Sequence, residues 1–294
     1  MNSNHAARVL IFGASGQVGR ALQNSAPSWS TIFTPTSLKV DFRNQHALQT
    51  AIRERAPDII INCAAFTRVD DAQSDSNTAR EINAEAPQIL AEECARLSAR
   101  LIHVSTDYVF DGSGSPPYLP TDSPAPLNVY GTTKLAGENA VLNANTNAAV
   151  VRTSWVHSGG GVNFIATAVD ALRRGDTLRV VDDQVSTPTR AAHLASALWS
   201  LARQSDALGL LHFSDAGVAS WYDVAHSVLE TLQHANAAGH GAAVLPVASN
   251  ESPRPARRPR VSLLDKHSSW GILGLASPHW RIGVMASTHE LLNE

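Results

Sequence analysis

Short apolar runs alternate with longer segments of helical periodicity in the first half of the chain. The apolar runs predict strands at Arg8–Phe12, Thr31–Phe33, Asp58–Cys63, Leu101–Ser105 and Ala149–Thr153. The segments between them predict helices at Gln17–Asn24, Gln45–Ala56, Thr78–Leu97 and Tyr130–Leu142. Runs such as "DIIINCAA" lack polar alternation, which is typical of strands that helices cover on both faces. The order of elements therefore predicts an α/β fold with a doubly wound parallel sheet.

The pattern weakens after Trp155. There, "HSGGGVNF" predicts a glycine-rich loop and "LRVVDDQVSTPT" an extended segment. A helix is predicted at Arg190–Arg203, a short strand that could rejoin the main sheet at Leu210–Phe213, and a further helix at Trp221–His234 with Ser220 as N-cap. We expect residues 1–155 to form one domain and 156–294 mainly a smaller α/β substrate lobe. The two are interleaved in sequence, because segments near 190–215 return to the first domain.

Composition and charge exclude several kinds of partner. The 294 residues are 44% hydrophobic and 17% charged, with a formal net charge of -3, which gives no reason to expect nucleic acid or an anionic membrane as a partner. No apolar run approaches the roughly 20 residues that span a bilayer, and Met1–Ala7 is too polar and short for a signal peptide, so we expect a cytoplasmic protein. Cys63 and Cys94 lie in apolar patterns and are expected to be buried free thiols. The 12 histidines are scattered, and no metal site is expected from them.

A glycine motif follows the first predicted strand. In "VLIFGASGQVG", Gly13, Gly16 and Gly19 stand between that strand and the first helix. Gly13 allows a tight turn, Gly16 lets the backbone approach a pyrophosphate, and Gly19 lets the helix pack close to the sheet. The motif in this context predicts a dinucleotide-binding fold of the Rossmann type.

Two further segments fit a dinucleotide. In "VDF", Asp41 could accept a hydrogen bond from an adenine amino group and Phe42 could flank the ring, although Asp41 could equally cap the helix that follows. "NCAAFT" ends the next strand in small residues, which leaves room for a cofactor at the carboxyl edge of the sheet or simply allows close packing.

Tyr130 and Lys134 lie one helical turn apart in "NVYGTTK". A free phenol has a pKa of about 10, and a nearby ammonium would lower it, so the pair could be a proton donor and the group that tunes it. Thr106 ends a predicted strand at the same edge, where its hydroxyl could bind the carbonyl oxygen that Tyr130 protonates. Each residue alone has a bland interpretation, but together with the glycines they indicate a short-chain dehydrogenase/reductase.

The wording of the motifs also resembles one family. "GASGQVG", "INCAAFTRVDDAQSD", "HVSTDYVFDG", "PLNVYGTTKLAGE", "VRTSWV" and "RRPRVSLLD" run in order from Gly13 to Asp265 and resemble the dTDP-4-dehydrorhamnose reductases, which are extended short-chain dehydrogenases. The resemblance covers nearly the whole chain. It implies reduction of the C4 ketone of dTDP-4-dehydro-L-rhamnose to dTDP-L-rhamnose, with hydride from NADPH or NADH.

The resemblance also implies roles for individual residues. The catalytic set would be Thr106, Tyr130 and Lys134, and the residues that hold the sugar would include Asp107, Tyr108 and Trp155. The cofactor would be lined by Gly13, Gly16, Gln17, Val18, Gly19, Asp41, Phe42, Ala64, Ala65, Thr67, Tyr130 and Lys134. By position alone, Trp155 could instead be a core residue.

Rival functions remain open at this point. A nucleotide-sugar 4,6-dehydratase needs an acid and a base beside the threonine, whereas Thr106 is followed by Asp107 and Tyr108, which favours ketone reduction. Another nucleotide-sugar reductase or an epimerase stays possible. So does a non-catalytic NADP-binding subunit that resembles the regulatory subunit of methionine adenosyltransferases.

The sequence departs from the family's wording in places. Ala21 replaces a glutamate that serves metal-mediated pairing in some relatives, so a monomer or a weak homodimer is expected. Arg190 could contact a phosphate or be an exposed charge at a helix start, and the second is favoured. Three arginines of "RPARRPR" could meet the substrate diphosphate or be solvated: Arg257, Arg258 and Arg260.

The choice of cofactor depends on the segment after the second strand. "TIFTPTSLKV" places Thr34, Thr36 and Ser37 where NAD-specific sites carry an acid. Lys39 or Arg43 could add positive charge near a 2′-phosphate. We therefore expect NADPH to be used at least as well as NADH, unless Asp41 faces the ribose.

Overall fold

The computed structural model describes residues 6–36, 38, 40–114 and 117–293. Ser37 and Lys39, which are candidate phosphate contacts, lie outside these residues. The strands of the described part are β1 (Ala7–Phe12), β2 (Ser30–Phe33), β3 (Ile59–Asn62), β4 (Arg100–Thr106), β5 (Ala148–Thr153), β6 (Val156–His157), β7 (Thr177–Val181), β8 (Val185–Ser186), β9 (Thr189–Arg190), β10 (Gly209–His212), β11 (Ala219–Ser220) and β12 (Ala243–Val247).

Helices connect most of these strands. They are α1 (Gln17–Asn24), α2 (Gln45–Arg55), α3 (Val69–Ser74), α4 (Ser76–Arg80), α5 (Ala86–Leu97), α6 (Val129–Ala144), α7 (Phe164–Arg173), α8 (Ala191–Arg203), α9 (Trp221–His234), α10 (His267–Leu273) and α11 (Trp280–Leu292). Among the described residues, no helix is both long and apolar enough to cross a bilayer.

The central sheet has six parallel strands in the order β10-β5-β4-β3-β1-β2. The order reverses at β1, which is followed along the chain by β2 on one side and β3 on the other, as in a doubly wound sheet. The predicted fold class is therefore confirmed. The strand predicted at Leu210–Phe213 also joins the main sheet, since β10 pairs with β5.

Apolar cores cover both faces of the sheet. Val9 and Ile11 of β1 point into the core that α1 and α8 cover, whereas Leu10 and Phe12 point into the core under α2 and α5. A third apolar cluster joins α7, α9 and α11 to the two-stranded pair of β7 and β12. This cluster occupies the region expected for the smaller lobe, and the domain boundaries themselves stay a prediction.

The helix predicted as a single segment at Thr78–Leu97 is interrupted. Its helical path starts at α4, widens into a π-helical turn at Glu81–Glu85 and continues as α5. Such π-helical turns are rare and often lie at functional sites. Here Asn83, which is buried, uses the turn to bond both backbone groups of Phe66 in the loop after β3. Ser220 caps α9 as predicted, within a full capping box.

Candidate active site

A cleft of about 840 Å³ runs along the carboxyl ends of β1, β3, β4 and β5. Most candidates from the sequence line this one cleft: Gly13, Gly16, Gln17, Val18, Gly19, Asp41, Phe42, Ala64, Ala65, Thr67, Thr106, Tyr130, Lys134 and Trp155. Asp107 and Tyr108 are not among its lining residues. The roles assigned to all these residues remain predictions, but the fold brings fourteen of the sixteen to one surface.

The glycine turn has the geometry that a dinucleotide needs. Gly13 has φ +77°, and a Cβ at this position would lie 2.5 Å from the Ala64 backbone nitrogen, so only glycine fits. No side chain caps α1, whose N-cap is the exposed Gly16, and its first turn holds no acidic residue. The amide groups at this helix end are therefore open to an anion such as a pyrophosphate.

Gln17 lines the cleft, and its side chain is hydrogen-bonded within the protein. Its amide nitrogen donates to the Val156 carbonyl at 3.3 Å, and its amide oxygen accepts from Ser158 at 2.9 Å and Asn163 at 3.1 Å. The side chain therefore ties the glycine turn to the loop that contains "SGGG". Only the backbone of Gln17 is left to meet a phosphate.

Asp41 does not cap α2. The N-cap is Asn44, whose side chain accepts from Ala47 N at 3.0 Å. The Asp41 carboxylate instead pairs with Arg43 at 2.7 Å, and this hydrogen bond lowers the pKa of the carboxyl group below its ordinary value. Phe42 packs edge-on against Phe12 at a centroid distance of 5.3 Å and still lines the cleft.

Tyr130 and Thr106 meet where α6 begins beside the end of β4. Asn128 caps α6 by accepting from Gly131 N at 2.8 Å, which places Tyr130 in the first turn. Burial raises the pKa of the Tyr130 phenol to about 12, the Thr106 hydroxyl beside it lowers that pKa, and the Asp107 carboxylate raises it. The phenol is therefore protonated at neutral pH, as a proton donor must be.

Lys134 lies in the same cleft as Tyr130, and the effect of its charge on the phenol stays a prediction. Its amine is almost fully buried and donates to the Val104 carbonyl at 2.7 Å, while its second neighbour is His103 Nε2 at 3.2 Å. Burial lowers the pKa of Lys134 to about 8, against the opposing charge of Glu138. The two side chains share the cleft, but the amine is held by β4.

Asp107 faces inward. Its carboxylate accepts from Ser262 at 2.5 Å, Ser186 at 3.3 Å and Thr106 at 3.1 Å, and burial raises its pKa to about 6. The Tyr108 ring packs edge-on against Tyr130 at 5.8 Å. In these positions Asp107 contacts Thr106 and Tyr108 contacts Tyr130. Contact of Asp107 or Tyr108 with a sugar stays a prediction.

Trp155 combines the two interpretations that the sequence left open. It lines the cleft and is half-buried, and its ring stacks on Trp221 at a centroid distance of 3.8 Å. Its φ is +45°, a left-handed conformation that is strained for a bulky residue. The stack with Trp221 therefore stabilises Trp155 in a backbone conformation that this residue would otherwise avoid.

The arginines divide into paired and exposed groups. Arg190 is not an exposed charge, since its guanidinium pairs with Glu290 of α11. Arg258 pairs with Asp70 at 2.8 Å, and its charge opposes the rise that burial causes in the pKa of the Tyr108 phenol. Arg257 and Arg260 are exposed and line a hollow of about 510 Å³ together with Arg254.

Several residues of the site escaped sequence reasoning. Arg20, Gly161 and Val162 also line the cleft, because the glycine-rich loop folds back over α1. Cys63 is half-buried and lines the cleft as well, so it is not the buried core thiol that was expected, whereas Cys94 is buried. Both cysteines are free thiols, as predicted.

The chain is similar to known proteins over nearly its full length. The family model described as the RmlD substrate binding domain matches residues 7–293. The chain is 37% identical over 299 residues to the dTDP-4-dehydrorhamnose reductase of Escherichia coli, with 96% of this chain and 97% of the relative covered. It is 43% identical over 281 residues to the enzyme of the same name from Mycobacterium tuberculosis, with 93% and 90% covered.

A solved structure gives the same result. The dTDP-4-dehydrorhamnose reductase from Bacillus anthracis, in complex with NADP, superposes with a TM-score of 0.89 at 33% identity, and the alignment covers 97% of this chain and 99% of that one. A probable 4-ketoreductase of another dTDP sugar, from Streptomyces antibioticus, is 37% identical over 288 residues, with 97% of this chain and 96% of the relative covered. By these matches, and by the cleft that its motifs build, the chain belongs to the dTDP-4-dehydrorhamnose reductase family.

Proposed function

We propose that this protein reduces the C4 ketone of dTDP-4-dehydro-L-rhamnose to give dTDP-L-rhamnose, with NADPH used at least as well as NADH. The observation that carries the proposal is the meeting of Thr106, Tyr130 and Lys134 in a cleft that begins at an open glycine turn. Relatives named for this reaction align over nearly the full chain. A monomer or weak homodimer, and a cytoplasmic location, remain predictions.

The cleft residues fit a nicotinamide dinucleotide. The uncapped start of α1 would hold the pyrophosphate, and the space beside Phe42 and Ala65 would take the adenosine. The bound cofactor would supply the hydride. The Asp41 carboxylate is already neutralised by Arg43, and Thr34 follows β2 where NAD-specific sites carry an acid, so little negative charge opposes a 2′-phosphate.

The proton would come from Tyr130. Because burial keeps the phenol protonated, it can donate to the oxygen that becomes the C4 hydroxyl. The Thr106 hydroxyl, which donates to Asp107 in the structure, would turn to donate a second hydrogen bond to that oxygen. Trp155, fixed by Trp221, would form a wall for the hexose. These residues would supply general acid catalysis and orientation, and the bound cofactor the hydride.

The nucleotide diphosphate would lie toward the arginine hollow. Arg258 links this hollow to the reaction centre through Tyr108, which packs on Tyr130. Arg254, Arg257 and Arg260 present exposed guanidinium groups there, and guanidinium groups bind phosphate oxygens in bidentate fashion.

The test is Tyr130→Phe, which removes the hydroxyl and keeps the ring. The turnover number should fall by roughly 10²-fold or more, while cofactor affinity changes little. Tyr118→Phe is the matched control, because Tyr118 also loses a hydrogen-bonded hydroxyl but stacks on Phe110 outside the cleft. Turnover of Tyr130→Phe within a few-fold of the control would remove Tyr130 from the mechanism.

A further inference from the structure

A chain of buried hydrogen bonds runs from the end of β3 to Lys134. Asn62 and His103 are both fully buried and sit side by side in the pairing of β3 with β4. Asn62 Nδ2 lies 3.0 Å from His103 Nδ1, and His103 Nε2 lies 3.2 Å from Lys134 Nζ. Neither Asn62 nor His103 lines the cleft, so they act only through Lys134.

The direction of each hydrogen bond follows from its partners. Asn62 Oδ1 accepts from the backbone N–H of Ala64 at 3.0 Å, so the amide nitrogen of Asn62 must be the atom that faces His103. That nitrogen can only donate, and Nδ1 of the imidazole must therefore accept. His103 is neutral, because burial and the neighbouring Lys134 hold its pKa well below the ordinary value. Its single proton is then on Nε2, which points at Lys134.

Lys134 can complete this chain in only one protonation state. An ammonium has three N–H groups and no lone pair, so it cannot accept the proton of Nε2. A neutral amine can accept it and still donate to the Val104 carbonyl at 2.7 Å. If Lys134 is charged, His103 must change tautomer and then faces a second donor, Asn62, whose orientation is fixed by the backbone of Ala64.

We propose that Asn62 and His103 are positioning residues that stabilise the uncharged amine of Lys134, so that this lysine can release and recover a proton during each turnover. This inference rests on the proposed function for its catalytic meaning. When Tyr130 has given its proton to the substrate oxygen, the ammonium of Lys134 can return one proton to the phenolate. The amine that results accepts a hydrogen bond from the Nε2–H of His103, and it regains a proton from solvent, which supplies the one proton that the overall reduction consumes.

The other groups around Lys134 oppose this effect only weakly. Glu138 lies one turn further along α6 and would favour the ammonium, but its carboxylate is already paired with Arg152 at 2.7 Å. The Cys63 thiol is neutral, since burial raises its pKa to about 12. Tyr130, on the same face of α6, is a neutral phenol. His103 is thus the one neighbour that offers a proton donor to the amine within the described surroundings.

The protein is well suited to a direct test, because its sequence has only three lysines, Lys39, Lys134 and Lys266. Lysine labelled with ¹³C at Cε gives three signals in the apoprotein, and Lys134→Arg identifies the signal of interest. We expect Lys134 to titrate well below the ordinary lysine value, and ¹⁵N-histidine spectra to show His103 protonated on Nε2, with His103→Gln identifying its signals. Lys266 is an internal reference: it is also buried, but its hydrogen-bond partners are acceptors, Thr187 Oγ1 and the Gly217 carbonyl.

Asn62→Asp should reverse the direction of the hydrogen bonds between residue 62, His103 and Lys134, with little change in side-chain shape. The new carboxylate accepts a hydrogen bond from Nδ1–H, Nε2 then accepts a hydrogen bond from the ammonium, and the proton affinity of Lys134 should rise by about tenfold or more. Asn83→Asp is the matched control, because it adds the same charge in a buried site against Thr133 of α6 without touching His103. It should leave the tautomer of His103 unchanged.

Two results would overturn the proposal. One is a wild-type His103 protonated on Nδ1. The other is a Lys134 titration that Asn62→Asp moves no further than Asn83→Asp does. Both readouts use the apoprotein, so a failure here is distinct from a failure of the proposed reaction, which would appear as absent turnover with an intact titration.

Discussion

The buried ion pair of Glu138 and Arg152 lies next to the proposed catalytic residues. We predict that breaking it strongly lowers the free energy of unfolding. Glu138 exposes 1% of its surface and Arg152 exposes 2%. The carboxylate accepts from Arg152 Nη2 at 2.7 Å and Nε at 3.0 Å, and from the hydroxyl of Ser105, the residue before Thr106, at 2.5 Å. The pair therefore joins α6 to β4 and β5 next to the proposed catalytic residues.

Glu138→Gln keeps the shape and removes one charge. Arg152 then stays buried without a counter-charge, and its Nη1 has no hydrogen-bond partner among the described residues even in the wild type. Removing one partner of a buried pair costs about 3–5 kcal/mol. At about 2–4 °C per kcal/mol for a chain of this size, the melting temperature should fall by roughly 6–20 °C.

Glu93→Gln provides the matched comparison. Glu93 is also buried and also pairs with arginines, Arg53 and Arg96, but their side chains are 50% and 51% exposed. Water can solvate those guanidinium groups after the substitution. The loss of unfolding free energy should therefore stay near the value typical of exposed pairs, which is about 0.2–1 kcal/mol for each pair. Denaturant midpoints followed by circular dichroism measure both variants. If Glu138→Gln is no more destabilising than Glu93→Gln, the argument from burial is refuted.

Three further predictions follow from the site. Trp155→Ala should raise the KM for the sugar and also lose about 0.5–1.5 kcal/mol of stability with its stack on Trp221, whereas Trp155→Phe keeps most of the stack; an effect on stability alone would make Trp155 a core residue. Burial raises the pKa of Asp107 to about 6 in the folded protein, above the ordinary 3.8, so its contribution to stability is complete below about pH 4 and is lost as the pH rises through about 6. Asp107→Asn should remove this decrease from a plot of denaturation midpoint against pH. An unchanged pH dependence would contradict the assignment. Arg43→Ala frees the Asp41 carboxylate and should lower the ratio of kcat/KM for NADPH to that for NADH, and an unchanged ratio would show that the pair does not govern the choice.

The sequence predicted the central sheet well because its strands are buried on both faces. Val9 to Phe12 and Ile59 to Ile61 are unbroken apolar runs, and such runs are the clearest signal that a chain carries. α11 was not predicted, because the side that carries Trp280 and Val284 also buries Gly283, Ser287 and Thr288, which weakens its apolar periodicity. α7 was not predicted, although Ile165, Ala168, Val169 and Leu172 have the helical spacing, because the glycines before it are typical of a loop.

The site could be predicted only where a motif fixes it locally. The glycine turn and the placement of Tyr130 depend on residues close in sequence, and both lie where the motif indicated. The contact of Lys134 with His103 depends instead on the register between β3 and β4 and on the packing of α6 above them. Similarly, Gln17 meets Ser158 and Asn163 only after the chain has folded, so the spacing in the glycine motif could not show that its side chain is occupied.

The central claim is hydride transfer to C4 of the nucleotide sugar. The most direct measurement supplies the purified protein with dTDP-4-dehydro-L-rhamnose and NADPH that carries deuterium at both hydrogen positions of nicotinamide C4, with Tyr130→Phe run in parallel. We predict one cofactor oxidised per sugar reduced, and NMR of the product should show dTDP-L-rhamnose with deuterium at C4 alone. Cofactor that binds without being oxidised, as expected of a regulatory subunit, or deuterium at any other carbon of the sugar, would contradict the account.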